Sequence, residues 1–341
     1  MTGVVAVILA AGKGTRMQSN RPKILHEVGG KPMVVHVVEA AEAATTSSPL
    51  LVIAPDDEAT PRLLGARCDY VAQPEALGTG HAAQMALPYL TDCAQVLLTY
   101  ADMPLLRAET YGRLLQLQAQ TGAAVALLSV IGEMTSSFGR VVRAADGGVR
   151  EIVEVAEARR RLDGEALLAL RELNVGVYAF SAEFLSHALP RLPLRQARSG
   201  PEYYLTDTVS LALEQGRAVV ALTLDDPDEG LGAGTRAELA QVERAFRRRA
   251  ARYWLAHGVT LIDPDAVYID PGVVIGQDTV IWPNTYVQGD TRIGPDCVIG
   301  PNTILRDARI GRNCRLEQVI IDRVTLPDDS APSPFTHLRL P

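Results

Sequence analysis

The sequence predicts an α/β domain built on a mostly parallel sheet, then a linking helix, then a short left-handed parallel β-helix. Three observations carry this. Apolar runs alternate with helical patterns up to about residue 235, a single helical pattern occupies 235–257, and beyond it aliphatic residues recur every six. At 341 residues about two domains are expected, and 47 % apolar content is ample for their cores.

The first strand, Val4–Leu9, is a continuous apolar run of the kind buried on both faces of a parallel sheet. Small residues follow at once: Ala10, Ala11, Gly12 and Gly14. Such a turn brings backbone N–H groups close to an anion, because no Cβ intervenes and glycine tolerates positive φ. Residues 33–44 read as a helix, 50–53 as a strand, 80–90 as a helix and 95–100 as a strand. Residues 108–120 are helical, and 123–130, 174–180 and 219–224 are strands. This βαβ rhythm implies a helix-covered parallel sheet, whose ligands bind at the carboxyl ends of strands. The glycine turn, Asp102 and Gln73 all fall there.

Residues 235–257 form the link. Thr235 and Glu238 make a T-x-x-E capping box; Leu239, Val242, Phe246, Ala250 and Tyr253 recur at helical spacing, and Gly258 is a stop. Arg247, Arg248 and Arg249 read as a solvated helix face. Past the helix, Ile269, Ile275, Ile281, Val287, Ile293, Ile299 and Leu305 keep a six-residue step, and Ile310, Leu316 and Ile321 continue it with two five-residue steps. Two residues before each from Ile275 onward sits a small or short side chain, from Val273 through Thr279 and Cys297 to Val319. Two inward positions per six residues fit a hexapeptide solenoid. The expected boundaries are 1–235, 236–257 and 258–341.

A net charge of −7 argues against general nucleic-acid binding. No apolar run approaches the ~20 residues of a membrane span, and no basic segment precedes Val4–Leu9 as a signal peptide would require. Cys68, Cys93, Cys297 and Cys314 have no C-x-x-C spacing, so neither a zinc site nor a disulfide framework is expected. The reading is cytoplasmic, with no nucleic-acid or membrane partner.

Only three of the 33 basic side chains are lysine: Lys13, Lys23 and Lys31. A chain that writes its positive charge as arginine keeps lysine where a compact ammonium serves better. Beside the glycine turn, Lys13, Arg16 and Lys23 supply charge-assisted bonds to phosphate. The string Leu9-Ala10-Ala11-Gly12-Lys13-Gly14-Thr15-Arg16-Met17, with Arg21-Pro22-Lys23 after it, resembles the signature of sugar-1-phosphate nucleotidyltransferases.

Together with the solenoid, the chain resembles, over essentially its whole length, the bacterial N-acetylglucosamine-1-phosphate uridyltransferase family, often bifunctional with an acetyltransferase. The resemblance implies a Rossmann-like nucleotidyltransferase domain, UTP and N-acetylglucosamine-1-phosphate as substrates, Mg²⁺ as cofactor, a homotrimer and a role in cell-wall biosynthesis. Gln73, Gly78 and Thr79 match the uracil-reading segment, which adds to the nucleotide site of Leu9, Ala10, Ala11, Gly12, Lys13 and Lys23. Tyr100-Ala101-Asp102-Met103-Pro104 matches Y-G-D-x-P, whose aspartate holds the metal; a helix N-cap is the structural alternative for Asp102. Phe138-Gly139-Arg140, Ile152-Val153-Glu154 and Asn174-Val175-Gly176 match the sugar-binding strings, giving Tyr100, Asp102, Gly139, Glu154 and Asn174 as substrate contacts. Arg16, Lys23 and Asp102 are the expected catalytic residues: Lys23 at the α-phosphate, Arg16 with Lys13 at the departing pyrophosphate. His81 reads as a helix residue rather than a base.

Two positions depart from the family pattern. Gly234 stands where a second metal ligand, an asparagine, is expected, and Ala156 where a lysine is expected. Residues 333–339 resemble the threshold of the acetyltransferase half, so acetyl transfer is not expected of these residues. A nucleotidyltransferase for another sugar phosphate or base, and a non-catalytic sugar-nucleotide binder, stay open. If lysine is kept for chemistry, Lys23→Arg lowers turnover by about tenfold or more, roughly 1.4 kcal/mol of transition-state binding. Lys31→Arg, beyond the turn, leaves it unchanged; equal tolerance in a pyrophosphate-release assay would defeat the reading.

Overall fold

The computed structural model describes residues 3–45, 47–132, 138–145, 147–197 and 200–340. Contacts divide the chain into two compact units, Met1–His26 with Pro32–Glu238, and Glu27–Lys31 with Leu239–Pro341.

The first unit opens with β1 (Val4–Leu9), α1 (Met33–Ala44), β2 (Leu50–Ile53), α2 (Ala59–Leu64), β3 (Asp69–Ala72), α3 (Gly78–Gln84) and β4 (Gln95–Tyr100). It continues with α4 (Ala108–Thr121), β5 (Val125–Ile131), β6 (Arg140–Arg143), β7 (Val149–Val153), α5 (Val155–Ala158) and α6 (Gly164–Leu168). Then come β8 (Glu172–Ser181), α7 (Ala182–Ala188), β9 (Leu194–Ala197), β10 (Gly200–Tyr203), α8 (Asp207–Glu214) and β11 (Val219–Thr223). The sheet order is β11-β5-β8-β4-β1-β2-β3, with β6 beside β8 and β7 beside β6.

As expected of its apolar run, β1 is buried on both faces. Val7 and Leu9 pack with residues of α3, α7 and α8, while Ala6 and Ile8 pack with residues of α1 and α4. β1 pairs in parallel with β2 and β4, and β11 in parallel with β5. The parallel expectation needs one correction: β8 lies between β4 and β5 and is antiparallel to both. An apolar run carries no direction, so residues 174–180 were legible as a strand and not as a reversed one. The expected helix over 80–90 also ends early. Pro88 has no N–H to continue an α-helix, and Leu87–Tyr89 forms a separate 3₁₀ turn.

The linking helix, α9, spans Arg236–Ala256, and Gly258 follows at φ 81°. Thr235 Oγ1 accepts the Glu238 N–H at 3.2 Å, half of the expected capping box. The other half differs: the Glu238 carboxylate accepts the N–H of Gly234, at 2.8 Å.

In the second unit the solenoid closes as three parallel sheets of four, five and four strands. This exceeds the three coils implied by nine repeats, because Thr260–Leu261 and Val267–Ile269 add rungs at one end and Thr325–Leu326 and His337–Arg339 at the other. Ile281, Val287, Ile299, Leu305 and Ile321 are fully buried, as are Thr279, Thr285, Thr291, Cys297, Thr303, Ala308 and Cys314 in the small slot. Cys297 and Cys314 are therefore core residues, as their phase implies. Gly294 is needed for close stacking rather than for its dihedrals: a Cβ there would stand 2.7 Å from the carbonyl oxygen of Gly311, one coil on.

Candidate active site

Two adjoining clefts open at the carboxyl ends of β1 and β4. The first, about 360 Å³, is walled by Leu9, Ala10, Ala11, Gly12 and Lys13 of the glycine turn, by Lys23, and by Gln73, Gly78 and Thr79. The second, about 480 Å³, is walled by Arg16, Gly139, Glu154 and Asn174 among others. Gly78, Thr79, Tyr100, Asp102 and Glu202 line both, so they form the shared wall. Every site residue named from the sequence borders one cleft or the other.

The glycine turn is built round Lys23. Gly14 sits at φ 60°, and a Cβ there would stand 2.6 Å from Lys23 Cβ, so both conformation and space demand glycine. Ile24 and Leu25 are buried and anchor the segment that carries Lys23. Its Nζ lies 2.5 Å from Asp102 Oδ2. Asp102 is held in turn through its carbonyl, which accepts the Ala233 N–H at 3.0 Å. The N-cap alternative fails, because α4 begins at Ala108 with Arg107 as its cap.

On the far wall of the first cleft, the Gln73 amide nitrogen donates to the Gly78 carbonyl at 3.1 Å, leaving its oxygen as an acceptor for a ligand N–H. Gly78, at φ 90°, lets the backbone of β10 approach: a Cβ would stand 2.7 Å from the Tyr203 carbonyl oxygen. His81 Nδ1 lies 2.9 Å from the Glu75 carbonyl, a contact that suits an N–H donor and a loop-fixing role.

The second cleft depends on an irregularity in β8. Its register shifts between Asn174 and Tyr178, and Gly176 at φ 88° leaves room for the Tyr100 ring, 2.9 Å from where its Cβ would be. The Asn174 side chain is partly committed within the protein. Its Nδ2 donates to Tyr178 Oη at 2.8 Å, and its Oδ1 accepts the Gly176 N–H at 3.1 Å. Its backbone N–H holds the Gly139 carbonyl at 2.8 Å, which ties two expected sugar contacts together. Burial pushes the Glu154 carboxyl up from its ordinary range, against a hydrogen bond with Thr206 that pulls it down. Burial likewise raises the Tyr100 phenol, so it stays a neutral donor.

Ala156 is exposed on α5 and lines neither cleft. Lys31 also lies outside both clefts. Sequence reasoning missed Glu202, Tyr204, Thr206 and Glu238 as wall residues. The first three sit in one run rich in polar and aromatic side chains, Glu202-Tyr203-Tyr204-Leu205-Thr206-Asp207. Glu238 was absorbed by its capping role.

Fold and clefts together define a nucleoside-triphosphate transferase joined to a hexapeptide solenoid. A profile described as a MobA-like NTP transferase domain matches residues 6–188, and one described as bacterial transferase hexapeptide, six repeats, matches residues 272–307. Relatives narrow the class. The bifunctional protein GlmU of Exiguobacterium sibiricum is 40 % identical over 335 residues, covering 98 % of this chain and 73 % of that protein. GlmU of Heliobacterium modesticaldum is 40 % identical, over 98 % of this chain and 72 % of its own length. GlmU of an Exiguobacterium species reaches 42 %, over 98 % and 73 %. The chain belongs to the GlmU family.

The Glu154 environment yields a pH prediction. A carboxyl raised in the folded state binds more protons folded than unfolded, so stability falls as pH rises from the ordinary carboxylate range through the raised value. Glu154→Gln is therefore expected to raise the thermal midpoint at about pH 8 more than at about pH 5. The same change should weaken sugar-phosphate binding about tenfold. A midpoint shift independent of pH would contradict the first expectation.

Proposed function

We propose that this chain transfers the uridylyl group of UTP to N-acetylglucosamine-1-phosphate, giving UDP-N-acetylglucosamine and pyrophosphate. The observation that carries the reading is the shared wall. A glycine-and-lysine cradle on one side and an amide- and carboxylate-lined cleft on the other meet at Asp102, so two anionic substrates adjoin there.

Asp102 fits a hard divalent cation such as Mg²⁺, which needs one or two carboxylates and takes its other ligands from water and phosphate. When bound, such an ion neutralises phosphate charge. The protein's own part is alignment. The turn's backbone N–H groups and Lys13 hold the triphosphate, and Gln73 reads the base. Lys23 meets the charge that grows at the α-phosphorus. Gly139, Glu154 and Asn174 orient the sugar. A phosphate monoester dianion is already a nucleophile, so its oxygen attacks the α-phosphorus in line, the α–β bridging bond breaks and pyrophosphate leaves without a general base.

A pyrophosphate-release assay with UTP, Mg²⁺ and a panel of sugar-1-phosphates tests this. N-acetylglucosamine-1-phosphate should turn over fastest; preference for another sugar or base would reassign the substrate, and silence throughout would leave a binder. Asp102→Asn should abolish turnover with the thermal midpoint nearly unchanged.

The same proposal includes a homotrimer in the cytoplasm. Four thiols, all buried and unpaired, suit a reducing compartment. Trp282 is exposed on the solenoid, Val280 and Val298 are half-buried neighbours on one of its sheets, and Ile320 is half-buried on another. Tyr286 is already engaged, stacked on Tyr268 with ring centroids 4.3 Å apart. Side-by-side packing about a three-fold axis would cover the rest in a closed ring. Light scattering should give three times the chain mass at micromolar concentration, and a monomeric mass would exclude the trimer.

A further inference from the structure

We propose that Glu229, which borders neither cleft, is a positioning residue for Asp102: its buried carboxylate fastens the loop after β11 to the start of α4, and that loop ends on the N–H that the Asp102 carbonyl accepts. This rests on the reading that Asp102 meets the substrates at the shared wall.

Asp102 lies at the start of the loop between β4 and α4. Upstream, that loop is fixed to the sheet, where the Ala101 N–H donates to the Leu9 carbonyl at 3.1 Å. Downstream, α4 has no cap from its own neighbourhood, since Arg107 stands at the N-cap and a guanidinium has no acceptor to offer. The capping group comes from far along the chain. Glu229 Oε2 accepts the Arg107 N–H at 3.1 Å and the Thr110 hydroxyl at 2.6 Å, across 122 and 119 residues. Its other oxygen stands 3.5 Å from Arg107 Nε. Glu229 thus takes the place of the acidic residue of a capping box, with its charge at the positive end of the helix. A local side chain in water would cap α4 as well. A carboxylate left 5 % exposed and brought from another loop also ties that loop down.

The loop so tied is the one that reaches Asp102. It leaves β11 at Leu224, whose N–H donates to the Ser129 carbonyl at 2.8 Å, and turns through the 3₁₀ stretch Pro227–Gly230. Asp226 caps that stretch and also accepts from Arg107 Nη2 at 2.7 Å. Beyond it, Ala233 is fully buried and its N–H donates to the Asp102 carbonyl at 3.0 Å. A Cβ on Gly232 would stand 3.6 Å from the same oxygen, so the backbone lies close against Asp102 there. The two loops are therefore joined twice, Arg107 and Thr110 to Glu229 at one end and Asp102 to Ala233 at the other. Few residues separate the joints on either strand, so a displacement at Glu229 is carried to Asp102 rather than absorbed. Asp102 meets Lys23 at 2.5 Å, and a misplacement of about 1 Å in such a site can cost about 10²-fold in rate.

Steady-state kinetics and amide exchange on the full chain test the assignment. Glu229→Ala removes the acceptor and should lower kcat about tenfold or more, with KM for UTP and for N-acetylglucosamine-1-phosphate within about threefold. Glu229→Gln keeps an oxygen in the same place and should hold kcat within about threefold of the wild type. Thr110→Val removes one partner with little change of shape and should fall between the two. The control is Tyr111→Phe, which loses a 2.9 Å hydrogen bond to Thr99 in the body of α4. It should lower the thermal midpoint and leave kcat within about twofold. Hydrogen exchange separates positioning from plain capping: Glu229→Ala should speed exchange over 230–234 as well as in the first turn of α4, with β4 still protected. Faster exchange confined to α4, or an equal kcat loss in Tyr111→Phe, would overturn the role of Glu229. Should Glu229→Ala fail to fold, Thr110→Val with kcat and exchange over 230–234 both unchanged would overturn it too. Wild-type protein that turns over no sugar-1-phosphate would defeat the substrate reading alone, because exchange still reports the tie between Glu229 and the loop at Asp102.

Discussion

The contact between Lys23 and Asp102 organises the site. It joins the turn after β1 to the end of β4, two neighbouring strands whose carboxyl ends would otherwise be independent, through a 2.5 Å ion pair with both side chains about four-fifths covered. Both side chains line the open first cleft, so water reaches each charge and the pair fixes geometry more than it adds stability. The turn is shaped to this lysine down to the absence of a side chain on Gly14. The two members suit opposite charges: an ammonium suits phosphate oxygens, and a carboxylate suits a cation.

The second cleft obeys a different constraint. β8 runs against its neighbours and breaks register beside Tyr100, which gives a wall of irregular backbone where a continuous ladder would have closed the space. The groups exposed there are amides and carboxylates suited to hydroxyls and N-acetyl groups. Preorganisation is bought with hydrogen bonds inside the protein: Asn174 binds Tyr178, Gly176 and Gly139 before it meets any ligand.

Much of this was legible in the sequence for physical reasons. The run Val4–Leu9 and the small residues after it reported a buried strand and an open turn, and the six-residue phase reported a solenoid, since both depend on burial alone. Strand direction at 174–180 was not legible, because apolar periodicity is the same read either way. The hairpins Arg140–Arg143 with Val149–Val153 and Leu194–Ala197 with Gly200–Tyr203 were missed because four- and five-residue pieces leave little periodicity to detect. The corners of the solenoid carried a signal that went unread: Asp278, Asn284, Asp296, Asn302, Asp307 and Asn313 all lie at φ between 46° and 61°, a conformation that Asp and Asn tolerate best after glycine.

Those corners also decide where the solenoid can change length. In the regular step from Ile299 to Leu305 two residues separate the aliphatic from the left-handed Asn302, whereas from Leu305 to Ile310 one residue separates it from the left-handed Asp307. The step from Leu316 to Ile321 is shortened in the same place, ahead of Gln318. In both, the spacing from left-handed residue to small slot to next aliphatic is intact, and Leu305 still stacks on Ile321. A deletion at the corner shortens the perimeter and keeps every inward residue inward. A deletion on the flat of a face, such as loss of Arg309 or Ile320, would bring an outward residue into the core of that rung. Descendants of this chain can therefore gain or lose single residues at the edges of the prism, while its faces are closed to such change.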